Sequence, residues 1–222
     1  MARQQPGGWW PLPSLLDNLT ALWRAWADAG ETLPGHAWEA GTRLPGWDVR
    51  ALYAHAGQWP AGLRRFARRT VDDMPQFVSG GSLLAFFNRA GGAATGLAAS
   101  LAEFSRQDAS EHSVAQLVAR FAAAGPAGLA AVSRLAADDC LEYAGGLRVS
   151  VRSALEVGVV EATVHLLDFV EAADRVVPGG VSDPPAEALL VTRDVLAAVP
   201  DPKTFVEAAT GRVPTPVFPV MR

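Results

Sequence analysis

The chain is poor in cysteine and in lysine, and each shortage excludes a class of protein. Its single cysteine, Cys140, allows neither a disulfide framework nor a metal site built from paired cysteines. Its single lysine is Lys203, and acidic side chains outnumber basic ones to leave a net charge of −4. A mildly acidic chain does not favour binding to nucleic acid or other polyanions. We therefore expect no nucleic-acid partner.

The sequence also lacks a long apolar run and the pattern of a secretion signal. Gly, Pro and Trp follow Arg3 in MARQQPGGWW, where a signal peptide would carry an apolar stretch. We find no stretch with the apolar length that a membrane span needs. These features predict a cytoplasmic protein without a membrane partner.

Helical periodicity is what the chain has in abundance. Apolar residues at helical spacing predict helices at about 14–29, 48–59, 82–105, 112–137, 153–174, 186–198 and 203–209. Ser14 and Asp48 are candidate N-caps, and Pro60 is expected to kink or end the second helix. From the third helix we expect Leu97, Leu101 and Phe104 to point inward. A short extended piece is expected around Val149.

This pattern predicts an all-α protein, an up-and-down bundle of four or more long helices with a short C-terminal addition. Residues 12–175 would form the bundle. Residues 176–222 would form a helical and extended tail that packs on it. The cores of such bundles hold ligands and metals between facing helices.

Two polar residues interrupt the apolar stretch VEATVHLLDF, residues 160–169. Glu161 and His165 are four residues apart, so they share a helix face with their Cβ atoms about 6 Å apart. That spacing allows both side chains to bind one metal ion. A simple hydrogen bond between them on a half-exposed face explains the pair as well.

A second histidine lies in the predicted helix after Asp48. His55 shares a helical face with Leu52, Ala56 and Trp59, which predicts that it points into the bundle. It is either a core histidine with satisfied hydrogen bonds or a metal ligand. If it faces the same cavity as Glu161 and His165, the three form a His₂Glu set. That is the ligand set of a catalytic zinc with one free position.

Two segments carry a family resemblance, LPGWDVRALYAH (44–55) and EATVHLLD (161–168). The first has a Leu-Pro-Gly-Trp turn and a histidine eight residues after the Trp. The second has the pattern Glu-x-x-x-His-x-x-Asp. Together they resemble the two signatures of the mycothiol-dependent maleylpyruvate isomerase family, within the wider DinB-like metalloenzyme superfamily. Asn88 in AFFNRA and the Gly-Arg pair ending at Arg212 resemble further family positions, so the resemblance spans about residues 12–213.

The resemblance implies a DinB-like four-helix bundle in which His55, Glu161 and His165 hold a divalent metal ion, usually zinc (Zn²⁺). It also implies a cytosolic enzyme that uses mycothiol as a co-substrate. In this family the metal ionises a thiol, which then attacks an electrophilic small molecule. The chain departs from the family at Val160, where members commonly carry Arg, and in having only a short tail in place of the larger C-terminal domain.

Four further residues are candidates for the site. Asp168 follows His165 by three residues, and it supports that histidine, acts as a general base, or is an ordinary surface carboxylate. Arg89 and Arg212 are candidate anchors for an anionic substrate or thiol, since arginine suits carboxylates; otherwise they are surface charges. Asn88 binds substrate or caps a neighbouring helix.

Three functional hypotheses follow. The leading one is a metal-dependent S-transferase or isomerase that uses mycothiol on a small electrophilic substrate. The first alternative is a metalloenzyme of the same fold recruited to a biosynthetic pathway, where the metal activates water or a substrate oxygen without a thiol. The second is a non-catalytic metal-binding interaction module. The oligomeric state stays open, with a homodimer among the options.

Overall fold

The computed structural model describes residues 10–89 and 91–212, and most of them are helical. The helices are α1 (Leu12–Thr32), α2 (Val49–Ala56), α3 (Gln58–Phe66), α4 (Gly80–Asn88), α5 (Ala93–Glu111), α6 (Val114–Ala119), α7 (Gly125–Val132), α8 (Val151–Asp174), α9 (Ala186–Ala197) and α10 (Pro202–Ala209). A π-helical turn, Arg120–Ala124, joins α6 to α7. Two short antiparallel strands, β1 (Cys140–Glu142) and β2 (Arg148–Ser150), precede α8.

Four helical rods form the bundle: α1, α2 with α3, α6 with α7, and α8. Each rod packs on two of the others, with α1 between α8 and α7, and α2–α3 between α8 and α7. One aromatic side chain from each rod meets at the centre, with ring centroids 5.0–5.7 Å apart: Trp26, Tyr53, Phe121 and Phe169. All four are at most 1% exposed. The prediction of an all-α, DinB-like bundle is confirmed.

The rods do not alternate in direction along the chain. Gly30 approaches Val118 while Gly125 approaches Trp23, so α1 and α6–α7 are antiparallel. Along α3 and α7, Gly57 lies near Phe121 and Gly128 near Leu63, so these rods are parallel. The predicted up-and-down order is therefore wrong. The long stretch between α3 and α6 brings the chain back to the same end of the bundle.

The predicted helix at 82–105 is also wrong, because it is two helices outside the bundle. Gly91 has a φ of 68°, which favours glycine, and the chain turns there between α4 and α5. Helix α4 packs on α8, and α5 packs on α2. The residues expected to point inward are 41–54% exposed: Leu97, Leu101 and Phe104. Instead α5 buries Ser105 and Ala109, small residues that allow close approach to α2.

Helix starts follow local chemistry in most places. The Asp48 carboxylate accepts a hydrogen bond from the Ala51 amide at 2.7 Å, so the predicted N-cap of α2 is confirmed. Ser14 is not a cap, because α1 begins two residues earlier, after Pro11. Helix α2 ends before Pro60, which lies in the first turn of α3. The extended piece expected around Val149 is confirmed as β2.

Helix α8 is buried on nearly all sides, since α1, α2, α4 and α9 surround it. This explains why apolar residues occur on all of its faces. Of the C-terminal addition, α9 packs on α8 and buries Ala188, Val191 and Val195, and α10 buries no residue. The predicted extended tail falls on residues 213–222, which lie outside the described residues.

One described stretch, Val114–Val132, is long and apolar enough to cross a membrane by length and composition, with a mean hydropathy of 1.3. The sequence-based statement that no such stretch exists is wrong in that respect. The finding is weak evidence for a span, because the core helix of a soluble protein passes the same test. Here Leu117, Phe121 and Val132 are buried in the bundle core.

Candidate metal centre

The three predicted ligands come together where α2 faces the middle of α8. His55 lies in the last turn of α2, and Glu161 and His165 lie one turn apart on α8. Their nearest ligand atoms all lie within 4.8 Å of one another. His165 Nε2 is 3.4 Å from Glu161 Oε2, and the rings of His55 and His165 are edge to face at 5.0 Å.

The orientation of α2 follows from contacts in its own sequence. Asp48 fixes the start of the helix, so that His55 is its seventh residue. Tyr53 donates a hydrogen bond from its hydroxyl to the Trp26 carbonyl at 2.7 Å, and this contact holds one face of α2 on α1. With that face fixed, His55 is directed towards α8.

A carboxylate and an arginine support His165 from behind. Asp168 Oδ2 lies 3.2 Å from His165 Nδ1, and Arg43 Nε donates a hydrogen bond to Asp168 Oδ1 at 2.6 Å. The Asp168 side chain is 4% exposed, whereas that of Arg43 is 50% exposed. Metal-binding histidines typically donate their second nitrogen to such a carboxylate, which orients the ring. His165 therefore presents Nε2 to Glu161.

His55 is held by two different neighbours. Its Nδ1 is 3.3 Å from Ser105 Oγ on α5, and the ring of Trp47 packs edge to face against it at 5.3 Å. These contacts occupy one nitrogen and one side of the imidazole. Nε2 is the nitrogen left to bind an ion.

The charges of the three groups are coupled. Burial lowers the pKa of His55 to about 4, helped by the positive charge of His165, so His55 is neutral at pH 7. Burial also lowers the pKa of His165, but its hydrogen bonds to Asp168 and Glu161 outweigh burial and raise it to about 9. Burial raises the pKa of Glu161, and the hydrogen bond and charge of His165 outweigh that effect and lower it. A metal ion must therefore displace a proton from His165.

The donor set fits a divalent ion of the zinc type. Two imidazole nitrogens and one carboxylate oxygen form a three-ligand site with one open position. Tetrahedral zinc places its ligand atoms about 3.3 Å apart, close to the 3.4 Å between His165 and Glu161. The side chains of Glu161 and His165 are 28% and 18% exposed, so a small molecule can reach them. Their role as ligands stays a prediction.

A comparison with known families agrees with this arrangement. The sequence model described as the mycothiol maleylpyruvate isomerase N-terminal domain matches residues 19–169, more than half of the chain. The chain belongs to this family. Membership implies an enzymatic role and mycothiol-related isomerase or transferase chemistry. No curated protein and no solved structure matches the chain.

The family-like positions outside the triad make other contacts. Asn88 donates a hydrogen bond to the Leu84 carbonyl in its own helix. Arg89 stacks its guanidinium over the Phe86 ring at 3.8 Å. Arg212 bonds to the Thr210 carbonyl beyond α10. None of these contacts joins them to the triad, and their role in substrate binding stays a prediction.

Sequence reasoning missed three contacts at the site. Arg43 binds Asp168, and Ser105 and Trp47 contact His55. Arg43 lies in a loop 125 positions from Asp168, and no spacing rule links the two. Ser105 was missed because periodicity predicts that Leu97, Leu101 and Phe104 form the buried face of its helix. Trp47 belongs to the Leu-Pro-Gly-Trp turn, and its ring packs against His55 itself.

Proposed function

We propose that the chain is a zinc-dependent enzyme of small-molecule thiol chemistry, a mycothiol-dependent S-transferase or isomerase that acts on an electrophilic substrate. The convergence of His55, Glu161 and His165 in a member of this family is the observation that carries the proposal. The proposal includes a cytoplasmic location, a small-molecule substrate, and no nucleic-acid or membrane partner. When bound, the metal lowers the pKa of a coordinated thiol or water and so supplies a nucleophile at neutral pH.

The residues of the chain prepare the site for this chemistry. Asp168 holds the His165 ring through Nδ1, and Arg43 keeps Asp168 ionised: hydrogen bonds from His165 and Arg43 outweigh burial and lower its pKa. Both Asp168 oxygens are therefore engaged, and this supports a positioning role over that of a general base. Val160 and Leu166, the sequence neighbours of Glu161 and His165, are fully buried, so the core-facing side of α8 beside the site is closed to water.

Metal analysis tests the first part of the proposal. Wild-type protein purified without chelators should retain about one equivalent of metal, and His55→Ala and His165→Ala should each lose it. His36→Ala is the matched control, since His36 is exposed in the short 3₁₀ helix after α1, Gly35–Glu39. A wild-type protein without metal, or a His36→Ala loss equal to that of His165→Ala, would refute metal dependence.

Thiol binding tests the second part. Mycothiol titrated into zinc-loaded wild type should bind, and the metal-free His55→Ala variant should not bind it. Turnover of a generic electrophile should require mycothiol. A zinc-loaded protein that neither binds mycothiol nor requires it for turnover would refute thiol chemistry and favour the recruited metalloenzyme. Metal retention without turnover of any substrate, together with binding to a protein partner, would favour the interaction module.

A further inference from the structure

An open groove of about 330 Å³ lies beside the candidate metal centre. Helix α3 forms one wall, and Tyr143, between β1 and β2, forms the other. The volume falls within the range typical of small-molecule sites. Nothing in the proposed role of the metal ligands uses this groove.

The walls of the groove are aromatic. Trp59, Phe66 and Tyr143 form a triangle with ring centroids 5.5–6.5 Å apart, and each ring is only partly buried. Aromatic faces of this kind suit a flat apolar body, because stacking adds to the gain from burying apolar area. The shape therefore favours a planar organic molecule over a compact ion.

Two arginines line the same groove. Arg65 and Arg69 are four residues apart, and both side chains are exposed. Arg69 makes a 3.6 Å contact with Glu142, whose side chain is itself 49% exposed. No acidic side chain lies within ion-pair distance of Arg65 in the described part of the chain. Guanidinium groups bind carboxylates well, and they do so better beside apolar walls.

One end of the groove lies one helical turn from His55 along the rod of α2 and α3. Trp59 follows His55 by four residues, and the connecting Gly57 keeps helical dihedrals, with a φ of −69° and a ψ of −10°. The Trp59 ring also packs on α8, because it lies 3.6 Å from the position of a Cβ on Gly158, three residues before Glu161. The Trp59 end of the groove is therefore the end nearest to the ligands, about one helical turn from His55.

We propose that this groove binds an organic anion with a flat apolar body, with Arg65 and Arg69 recognising its charge and Trp59, Phe66 and Tyr143 its body. Its use as the substrate site rests on the proposed metal-dependent function, whereas the binding itself does not. A substrate held there would be an aromatic or similarly planar carboxylate. Its uncharged end would point along α3 towards His55.

Binding of 2-naphthoate to the metal-free and the zinc-loaded chain, measured by calorimetry, tests the proposal. We expect saturable binding below about 1 mM, and at least about tenfold weaker binding of 2-naphthol, which has the same shape without the charge. The double variant Arg65→Met/Arg69→Met should bind naphthoate about tenfold more weakly or worse. The double variant Arg64→Met/Arg68→Met is the matched control, with the same loss of charge beside the groove, and should bind as wild type does.

A third variant tests the location without changing charge. A Cβ on Gly62, which lines the groove, would meet no atom within 4 Å, so Gly62→Leu adds bulk in open space. Leucine also favours the helix more than glycine does. This variant should keep its thermal midpoint and lose naphthoate binding.

The proposal is overturned if naphthoate does not bind, if naphthol binds equally well, or if the control pair loses as much affinity as the groove pair. Unchanged binding in Gly62→Leu would also overturn it. If wild-type protein purified without chelators retains no metal but binds naphthoate, the groove assignment stands and the metal-dependent function is refuted. A chain that holds zinc and does not bind naphthoate would refute the groove alone.

Discussion

Asp168 has both of its carboxylate oxygens engaged, one by Arg43 and one by His165. Because its side chain is 4% exposed, its charge is compensated almost wholly by these two groups. An Asn at this position keeps the shape and removes the charge. It therefore separates the packing of the residue from its effect on the basicity of His165.

We predict that Asp168→Asn lowers zinc affinity by about 10- to 100-fold, the range typical for carboxylates that orient a ligating histidine. The physical reason is that His165 loses the acceptor that fixes its ring and raises its basicity. Competition with a chromogenic chelator measures the affinity. Glu171→Gln is the control, since Glu171 lies on the same helix and pairs with Arg175 near the surface. Equal zinc affinity in Asp168→Asn and wild type would rule out the positioning role.

At the scale of elements, the π-helical turn between α6 and α7 holds three segments together beside His55. Arg120, at the start of the turn, donates two hydrogen bonds to Asp108 of α5, at 2.6 and 2.7 Å. It also donates to the carbonyl of Ala54, the residue before His55, at 3.3 Å. Such turns often mark functional sites. Here Arg120 of the turn links α5 and the end of α2 to the rod of α6 and α7.

We predict that Asp108→Asn lowers the free energy of unfolding by about 1.5–3 kcal/mol at pH 7, the usual contribution of a hydrogen bond to a charged group. The hydrogen bond from Arg120 holds the pKa of Asp108 below its ordinary value. A depressed folded-state pKa contributes stability above the ordinary pKa, and that stability is lost as the pH falls through the folded-state value. The gap between wild type and variant should therefore shrink below about pH 4.

Urea unfolding at a series of pH values measures this gap. Asp138→Asn is the control, because it removes the same charge from an exposed side chain that makes no contact with Arg120. A gap that stays constant from pH 7 to pH 3, or a control variant with the same loss, would contradict the role assigned to the Arg120–Asp108 pair.

At the scale of the whole molecule, the four rods pack around a core of a few large aromatic side chains. Phe169 is fully buried and packs on Trp26 and Tyr53, so one side chain joins three rods. Phe104 is of the same type on α5, but it is 54% exposed. Substitutions at these two positions therefore compare the bundle core with a helix that lies outside it.

We predict that Phe169→Ala lowers the free energy of unfolding by about 3–5 kcal/mol, because it removes buried apolar area and leaves a cavity. Phe104→Ala should change it by less than about 0.5 kcal/mol, as is usual for surface positions. Chemical denaturation of both variants measures the difference. A loss in Phe104→Ala as large as that in Phe169→Ala would contradict the exposed position of α5.

Local sequence patterns predicted the parts of this molecule that depend on neighbours along the chain. The Asp48 cap, the long helix around Glu161 and His165, and the short strand at Val149 all follow from side chains within a few residues of one another. The inward direction of His55 was predicted in the same way. Periodicity could not show that α2 faces α8, and the family resemblance supplied that step.

Tertiary packing decided what periodicity could not. A helix such as α5, with small and apolar residues on several sides, has no unique buried face until a partner selects one; α2 selected Ser105 and Ala109. The direction of the rods and the contact of Arg43 with Asp168 likewise depend on residues far apart in sequence. The sequence by itself thus determined most of the helices and, with the family resemblance, the three candidate ligands. The tertiary structure decided which residues support those ligands and where a groove opens beside them, because both depend on contacts between elements that no local pattern encodes.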